Sequence, residues 1–303
     1  MAVLNSTSLQ IPAQMAQGII DNVQTGSAVA ALSGQKPQRF GATNIVTFNK
    51  HPRAEFVEEG AQKSPAEAVY DTAKATPHKA QVTVRFNQEV MWADEDTQLG
   101  VLQSLSDAAQ VALARALDLG VFHRLNPLSG DAMTSWTNYL TSTSKVVTAS
   151  GDVDKDIESL IGKVLAGEED GPDVNGIAFS KAEAFALATA KDKQGRLLHP
   201  ELGYGTTMTA FNGLPAYVST TVNAPEAKTK TNIAAIAGDF ANGVYWGVQK
   251  DLPVELIQFG DPDGMGDLKR NNQLALRLEI LYAWYVFPER FAVVKGATTP
   301  AHA

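Results

Sequence analysis

The longest helical pattern in this chain runs from Thr97 to Gly120, and it constrains the fold more than any other stretch. Its apolar residues recur at steps of three and four, which places them on one side of a helix. At 1.5 Å per residue such a helix would be roughly 36 Å long, enough to span a domain. We expect Asp94, Glu95 and Asp96 to cap its amino end, and Gly120 to cap its carboxyl end in a left-handed conformation.

The two sides of this helix differ in composition. The predicted buried stripe consists of Leu99, Leu102, Leu105, Ala109, Ala112 or Leu113, Ala116 and Leu117. The predicted exposed side carries Gln103, Ser106, Gln110 and Arg115. A single apolar stripe is typical of an ordinary core helix, so the pattern by itself indicates a structural element and no particular function.

A second long element lies near the carboxyl end of the chain. The sequence QLALRLEILYAWYVF, from Gln273 to Phe287, alternates apolar and other residues, which predicts a strand roughly 50 Å long at about 3.4 Å per residue. Pro288 is expected to end it, and ERFAVVKG to add a short strand. Residues 151–242 alternate helical and strand patterns, which indicates a separate α/β unit whose predicted N-caps are Asp152 or Asp154, and Ser180.

Two stretches lack the apolar residues for a core of their own. Residues 1–42 are rich in small and polar residues, so they form either a disordered tail or an arm that orders by lying on something else. Residues 49–80 carry charges of both signs and few large apolar residues, and a loop of that length is unusual inside a compact domain. Balanced charge favours an extended hairpin that contacts an identical neighbour over a disordered loop.

Composition excludes several classes of protein. The chain has 303 residues, a formal net charge of −8 and no cysteine. The negative charge argues against a protein that grips nucleic-acid backbone, which usually needs a basic patch. Disulfides, thiol nucleophiles and cysteine-based metal sites are excluded. The sequence shows neither a secretory signal nor an apolar run that could span a membrane, so we expect a soluble, cytoplasmic protein.

No catalytic, cofactor or metal motif stands out. The segment GDPDGMGD lacks two ligands of a calcium loop, and we interpret it as a hairpin turn. The acidic residues between 168 and 173 are interpreted as a solvated loop. The histidines have no metal-ligand spacing, and each is expected at the surface or in a loop; they are His51, His78, His123, His199 and His302.

Taken in order, these segments resemble the major capsid proteins of tailed bacteriophages, which have the Hong Kong 97-type capsid fold. GIIDNVQTGSAVAALSG is similar to the family's N-terminal arm, and residues 54–91 are similar to its extended hairpin, the E-loop, with its return strand. TQLGVLQSLSDAAQVALARALDLGVFHRLNP is similar to the spine helix. The stretch from NGIAFS to GLPAYVSTTV is similar to the axial domain, and Gly238-Asp-Phe with the strand ending in Pro288, Arg290 and Phe291 is similar to the family's last elements.

The resemblance implies an α+β, Hong Kong 97-like capsid fold. It has an N-terminal arm, an extended E-loop hairpin, a peripheral domain with a long spine helix and a long β-strand, and an axial α/β domain. The implied boundaries are an arm at 1–42, the E-loop hairpin and its flanking strands at 43–90, the peripheral domain at 91–150 with the spine helix at 97–120, the axial domain at 151–242, the peripheral return with the long strand at 243–287, and a C-terminal strand and tail at 288–303.

The resemblance also implies the function of a major capsid protein, without enzymatic activity, metal or cofactor. Such a protein self-assembles into pentamers and hexamers that form the icosahedral head shell of a tailed double-stranded DNA bacteriophage. Its implied partners are further copies of itself, a scaffolding protein, a portal protein and decoration proteins, and it encloses DNA without sequence-specific binding or a membrane. It is located in the virion and assembled in the host cytoplasm.

Since the arm follows Met1 almost at once, we expect any scaffold to be a separate protein. The charged residues of the hairpin are the expected contacts between subunits; they are Arg53, Glu55, Glu58, Glu59, Lys63, Glu67 and Lys74. Two alternatives stay open at this point. One is the shell protein of an encapsulin nanocompartment, which has the same fold, and the other is an α/β enzyme in residues 151–240.

Overall fold

The computed structural model describes residues 26–36, 41, 43–50, 54–60, 62–63, 69–92, 95–166, 172–205, 207–251 and 254–296. Two β-sheets with helices packed against them form an α+β fold, as expected. The α-helices in the described residues are α1 (Ala28–Leu32), α2 (Glu95–His123), α3 (Val153–Leu165), α4 (Lys181–Ala188) and α5 (Phe240–Gly243). The strands are β1 (Thr43–Lys50), β2 (Val69–Asn87), β3 (Val146–Thr148), β4 (Gly176–Phe179), β5 (Ala210–Phe211), β6 (Leu214–Val218), β7 (Ile233–Gly238), β8 (Val244–Asp251), β9 (Glu255–Ile257), β10 (Gln273–Val286) and β11 (Phe291–Lys295).

The first sheet is built around the long strand β10. Its order is β1-β2-β10-β8, and β9 also pairs with β10. Strand β10 runs antiparallel to β2, from Gln273 opposite Asn87 to Trp284 opposite Thr76. Every second residue from Leu274 onward is buried, which confirms the predicted alternation, and the strand ends one residue earlier than predicted.

Helix α2 packs against β10 and β2 and is longer than predicted. It continues three residues past Gly120, so the predicted cap at Gly120 is wrong. Glycine is needed there for close packing instead, because a Cβ on Gly120 would lie 2.9 Å from Cη2 of Trp284. The residue after the helix, Arg124, takes the left-handed conformation with a φ of 53°. Asp94 and the side chains of residues 95–96 lie outside the described part, so the predicted amino-terminal cap stays a prediction.

Replacing Gly120 with alanine is expected to destabilise the fold by about 1 kcal/mol, since overpacking costs about 1–3 kcal/mol and alanine regains about 1 kcal/mol of helix propensity. Trp284 cannot move aside easily, because it contacts the rings of His78 and Trp136. Gly162 in α3 is the matched control. A Cβ there meets nothing within 4 Å, so Gly162→Ala is expected to stabilise by about 0.5–1 kcal/mol. Urea titration measures both variants, and a gain in stability from Gly120→Ala would contradict the packing role.

The predicted exposed side of α2 is only partly exposed. Gln103 is exposed and Arg115 is half-buried, but Ser106 and Gln110 are 2% and 3% exposed, so the prediction is wrong for these two residues. Both lie on the i±4n row that continues to residues 114 and 118, and α1 packs against that part of the row. Helix α1 therefore packs on the side of α2 whose polar residues predict exposure to solvent.

The second sheet collects strands from distant parts of the chain. Its order is β3-β11-β7-β4-β6-β5, and α3 packs against β11 and β7. Asp152 caps α3 and Ser180 caps α4, each accepting a hydrogen bond from the backbone N–H three residues later, which confirms both N-caps. Strand β3, which the predicted boundary at residue 150 leaves outside the axial domain, pairs with β11 in this sheet.

Candidate assembly surfaces

The hairpin formed by β1 and β2 extends beyond the first sheet. Strand β2 pairs with β10 as far as Thr76, and from Ala75 to Val69 its partner is β1. Six residue steps at about 3.4 Å give a two-stranded ribbon roughly 20 Å long. Because an isolated two-stranded ribbon is marginally stable in water, the arrangement favours a ribbon that lies on a second surface.

The described tip of this hairpin, residues 54–60, exposes an aromatic side chain among carboxylates. Phe56 is fully exposed and Val57 is 38% exposed. Glu55, Glu58 and Glu59 are exposed beside them. Burying a phenylalanine side chain contributes about 1.5–3 kcal/mol, so the tip would gain stability by docking, and its carboxylates would favour a cationic surface.

The structure describes five of the seven predicted contact residues. They are Glu55, Glu58, Glu59, Lys63 and Lys74, and all five are exposed. Arg53 and Glu67 lie outside the described residues. The ion pairs found within the described part of the chain do not include Glu58, Glu59, Lys63 or Lys74. These charges are available to a neighbouring molecule, and their use between subunits stays a prediction.

A buried carboxylate joins the arm to the body of the protein. Asp118 in α2 accepts hydrogen bonds from the hydroxyls of Ser27 and Thr221, at 2.5 and 2.8 Å. It also accepts from the backbone N–H groups of Ala28 and Val29, both at 3.0 Å. These two N–H groups belong to the first turn of α1, where donors have no partner within the helix. Burial raises the pKa of the Asp118 carboxyl, and the four donors oppose that shift.

Helix α2 ends in a buried histidine, contrary to the expectation that every histidine lies at the surface or in a loop. His123 is 6% exposed, and its Nε2 lies 3.1 Å from the carbonyl oxygen of Thr221 and 2.9 Å from that of Val222. Since both partners are acceptors, Nε2 carries the proton. Burial lowers the pKa of His123 to about 4, so the ring is neutral at pH 7.

The other described histidines are also partly enclosed. His78 on β2 lies against two tryptophans, with centroids 4.1 Å from Trp136 and 4.2 Å from Trp284. Burial lowers the pKa of His78 to about 4. His199 is half-buried, with Nε2 2.6 Å from Oδ1 of Asp154. His51 and His302 lie outside the described residues, so their expected positions stay predictions.

The segment GDPDGMGD is a hairpin turn, as predicted, and it encloses an arginine. It connects the antiparallel strands β9 and β10. The guanidinium of Arg85 on β2 donates to Oδ2 of Asp263 at 2.7 Å, to Oδ1 of Asp261 at 2.9 Å and to the carbonyl oxygen of Gly266 at 2.8 Å. Arg85 holds the pKa of the Asp263 carboxyl below its usual value. The two carboxylates thus stabilise the turn against the sheet.

Among the described residues, His, Cys, Asp and Glu side chains do not form a group of three or more that could hold a metal ion. None of the helices described combines the length and apolar character needed to cross a membrane. The acidic residues at 168–170 lie outside the described residues, so their interpretation as a solvated loop stays a prediction.

Sequence reasoning missed both Asp118 and His123. A signal for Asp118 was present, because it lies four residues after Ala114 and four before Phe122, in phase with buried positions of α2. A charged residue at a buried phase of a helix indicates a specific polar partner. His123 had no such signal, because the predicted helix ended before it.

Comparison with known proteins identifies the family. The model of the phage capsid family matches residues 8–293. The chain belongs to the phage capsid family. This capsid protein is a structural subunit of a head shell and not an enzyme, as expected, and the findings do not favour the encapsulin alternative. Membership also supports a location in the virion.

Solved structures agree with this assignment. A chain from Mycobacterium phage Ogopogo is 42% identical with a TM-score of 0.78, over 89% of this chain and 92% of that chain. A chain from Gordonia phage Cozz is 30% identical with a TM-score of 0.75, over 90% of this chain and 87% of that chain. The structure described as the capsid of an empty GTA particle is 14% identical with a TM-score of 0.60 over 90% of each chain, and shows a shared fold. Comparison with curated proteins gives no match.

Proposed function

We propose that this capsid protein forms pentamers and hexamers of an icosahedral head shell that encloses the double-stranded DNA of a tailed bacteriophage. The observation that supports it most directly is the two-stranded ribbon with its exposed apolar and acidic tip. A ribbon of this kind gains little stability on its own chain and gains it by lying on a neighbour. Head-to-tail contacts that repeat around an axis close into rings, and rings of this kind are the units of the proposed shell.

The remaining parts of the proposal follow the predicted division of the chain. The first sheet with α2 forms the peripheral domain, and residues 151–242 form the axial domain around the ring axis. The net charge of −8 fits a shell that encloses DNA without sequence-specific binding. A separate scaffolding protein, a portal protein and decoration proteins are the proposed partners, and assembly takes place in the host cytoplasm.

Electron microscopy of the expressed chain tests the proposal. We expect closed icosahedral particles with pentameric and hexameric units. Particles that co-purify with DNA and portal protein are expected for a head shell, whereas particles that enclose a cargo enzyme would contradict it. A chain that stays monomeric, with or without a scaffolding protein, would also contradict it.

Replacing Glu58 and Glu59 together with lysine is expected to impair shell assembly while leaving the subunit folded. Both side chains are exposed, so the change in the free energy of unfolding is expected to stay within about 0.5 kcal/mol. Reversed charge at the tip would repel a cationic docking surface. Sedimentation and circular dichroism measure assembly and folding separately.

Glu158→Lys with Glu289→Lys is the matched control for this double variant. Both residues are exposed outside the hairpin, and the change in net charge is the same. We expect this control to assemble normally. Normal particles from the hairpin variant would rule out the tip glutamates as subunit contacts.

A further inference from the structure

A cationic cavity lies at the carboxyl end of α2. Its volume is about 320 Å³, and part of its wall is apolar, formed by Leu125, Ile233 and Val293. Its charged lining residues are Arg124, Asp131, Lys228, Lys230 and Lys295. Four cations and one carboxylate thus face one cavity in a chain whose net charge is −8.

The charges of the cavity are only partly neutralised within the subunit. Nζ of Lys228 lies 2.8 Å from Oδ2 of Asp131. Arg124 donates to the carbonyl oxygen of Trp136 at 3.0 Å, a neutral acceptor. Lys230 and Lys295 are exposed, and the ion pairs found among the described residues include neither of them. The cavity therefore attracts an anionic group from outside the subunit.

Close backbone contacts and hydrogen bonds hold part of the cavity wall. The backbone of Gly130 lies so close to Glu226 that a Cβ on Gly130 would be 2.3 Å from the Glu226 carbonyl oxygen. The backbone N–H of Lys228 donates to the carbonyl oxygen of Gly130 at 3.0 Å. The backbone N–H of Met133 donates to the carbonyl oxygen of Arg124 at 2.8 Å. The backbone that carries Arg124 and Lys228 is thus held by its own contacts, and such preorganisation lowers the entropic cost of docking.

The hairpin tip has the complementary composition. It carries the three exposed glutamates at 55, 58 and 59 around the fully exposed Phe56, whereas the cavity carries cations beside an apolar wall. The ribbon between the sheet and the loop that carries this tip is roughly 20 Å long. Each identical subunit carries one tip and one cavity. In a closed ring, every tip can therefore dock into the cavity of a neighbouring subunit.

We propose that the acidic tip of the hairpin, residues 54–60, docks into the cationic cavity of a neighbouring subunit. Glu58 and Glu59 face Lys230 and Lys295, and Phe56 lies against the apolar wall. This inference rests on the proposed function, because it requires a shell in which subunits are adjacent. It goes further by naming the surface that receives the hairpin.

Zero-length crosslinking of the unaltered protein tests this docking. A carbodiimide joins a carboxylate to a lysine amine only when they are in contact. It activates the carboxylate, the amine displaces it to form the amide, and it leaves as a urea that has taken up the water. Shells are assembled from a mixture of ¹⁴N- and ¹⁵N-labelled subunits, treated with carbodiimide, digested and analysed by mass spectrometry. We expect mixed-isotope amides that join Glu58 or Glu59 to Lys230 or Lys295.

Two results would overturn the docking while leaving the proposed function intact. One is closed shells in which the tip glutamates react only with other lysines or with none. The other is protection of Lys230 and Lys295 from amine labelling in DNA-filled shells but not in empty ones, which would assign the cavity to phosphate. Absence of closed particles would instead overturn the proposed function and the docking with it.

Charge exchange gives a second, independent test. Lys230→Glu with Lys295→Glu is expected to lower the yield of closed particles at least about tenfold, and the reversal at the tip is expected to do the same. Combining both reversals in one chain is expected to restore the yield. Reversal of Lys155 and Lys193, which are exposed elsewhere, serves as the control and is expected to have no effect. Failure of the combined variant to recover, with each subunit folded, would contradict the pairing.

Discussion

Replacing Asp118 with alanine is expected to lower the free energy of unfolding by about 3 kcal/mol or more, because each buried donor left without an acceptor costs about 1–3 kcal/mol. The carboxylate accepts from two hydroxyls and from two backbone N–H groups of α1. The N–H groups of Ala28 and Val29 cannot rotate to other partners, so they bear most of the loss. We also expect the arm to detach first, since three of the four donors belong to residues 27–29.

Two further variants test whether the effect depends on the carboxylate of Asp118 and on its buried position in α2. Asp118→Asn keeps the shape but turns an NH₂ group toward donors, so it is expected to be clearly destabilising as well. Asp107→Ala removes an exposed carboxylate from the same helix, where Oδ1 accepts from Gln103 at 2.8 Å, and it is expected to change stability by less than about 0.5 kcal/mol. Urea titration with proteolysis at the arm measures both effects. A loss in Asp118→Ala no larger than that in Asp107→Ala would show that the arm is anchored otherwise.

Acidification from pH 7 to pH 4 is expected to destabilise the subunit through His123. Its pKa is about 4 in the folded protein against the usual 6.5, so the unfolded chain takes up a proton that the folded chain resists. The contribution of neutral His123 to the free energy of unfolding is fully present above pH 6.5. It is lost as the pH falls toward 4, by about 3 kcal/mol for a pKa shift of this size. His78 acts in the same direction, and Asp118, whose pKa is raised, acts in the opposite one.

Replacement of His123 with asparagine tests this pH dependence. Asparagine does not titrate, so the slope of stability against pH between 6.5 and 4 is expected to become shallower. Its shorter side chain does not replace the Nε2 donor, and that loss lowers stability at every pH alike. His199→Asn changes a half-buried ring at another site and serves as the control. A slope as steep in His123→Asn as in the unaltered protein would assign the acid sensitivity to other groups.

The long elements of this fold could be predicted from periodicity because each has one buried face. The alternation from Leu274 to Val286 gave the long strand nearly to its ends, and the stripe of α2 gave the long helix. The capping residues Asp152 and Ser180 could also be predicted, since a cap acts through its own neighbours in the chain. These are local properties, and the family resemblance supplied their order in space.

What could not be predicted depends on segments that meet from far apart. Gly120 is a glycine because Trp284 is close, and Ser106 and Gln110 are buried on the side of α2 where the arm helix packs farther along. The charges of the cationic cavity come from three separate parts of the chain, at Arg124, Lys228 and Lys295. A single sequence does not show which distant segments come into contact. The hairpin tip could be predicted only as a stretch without a core of its own.

Strand β2 runs without interruption from the ribbon into the middle of the first sheet, and this continuity affects how the subunit bears a pulling force. Its register with β10 covers twelve paired positions, from Asn87 to Thr76, and their hydrogen bonds lie across the strand direction. A pull on a docked hairpin therefore acts along β2 and loads these bonds in shear, all at once, whereas a pull across the strand would break them one after another. A shell under outward pressure would hold its subunits through the strongest direction of this sheet.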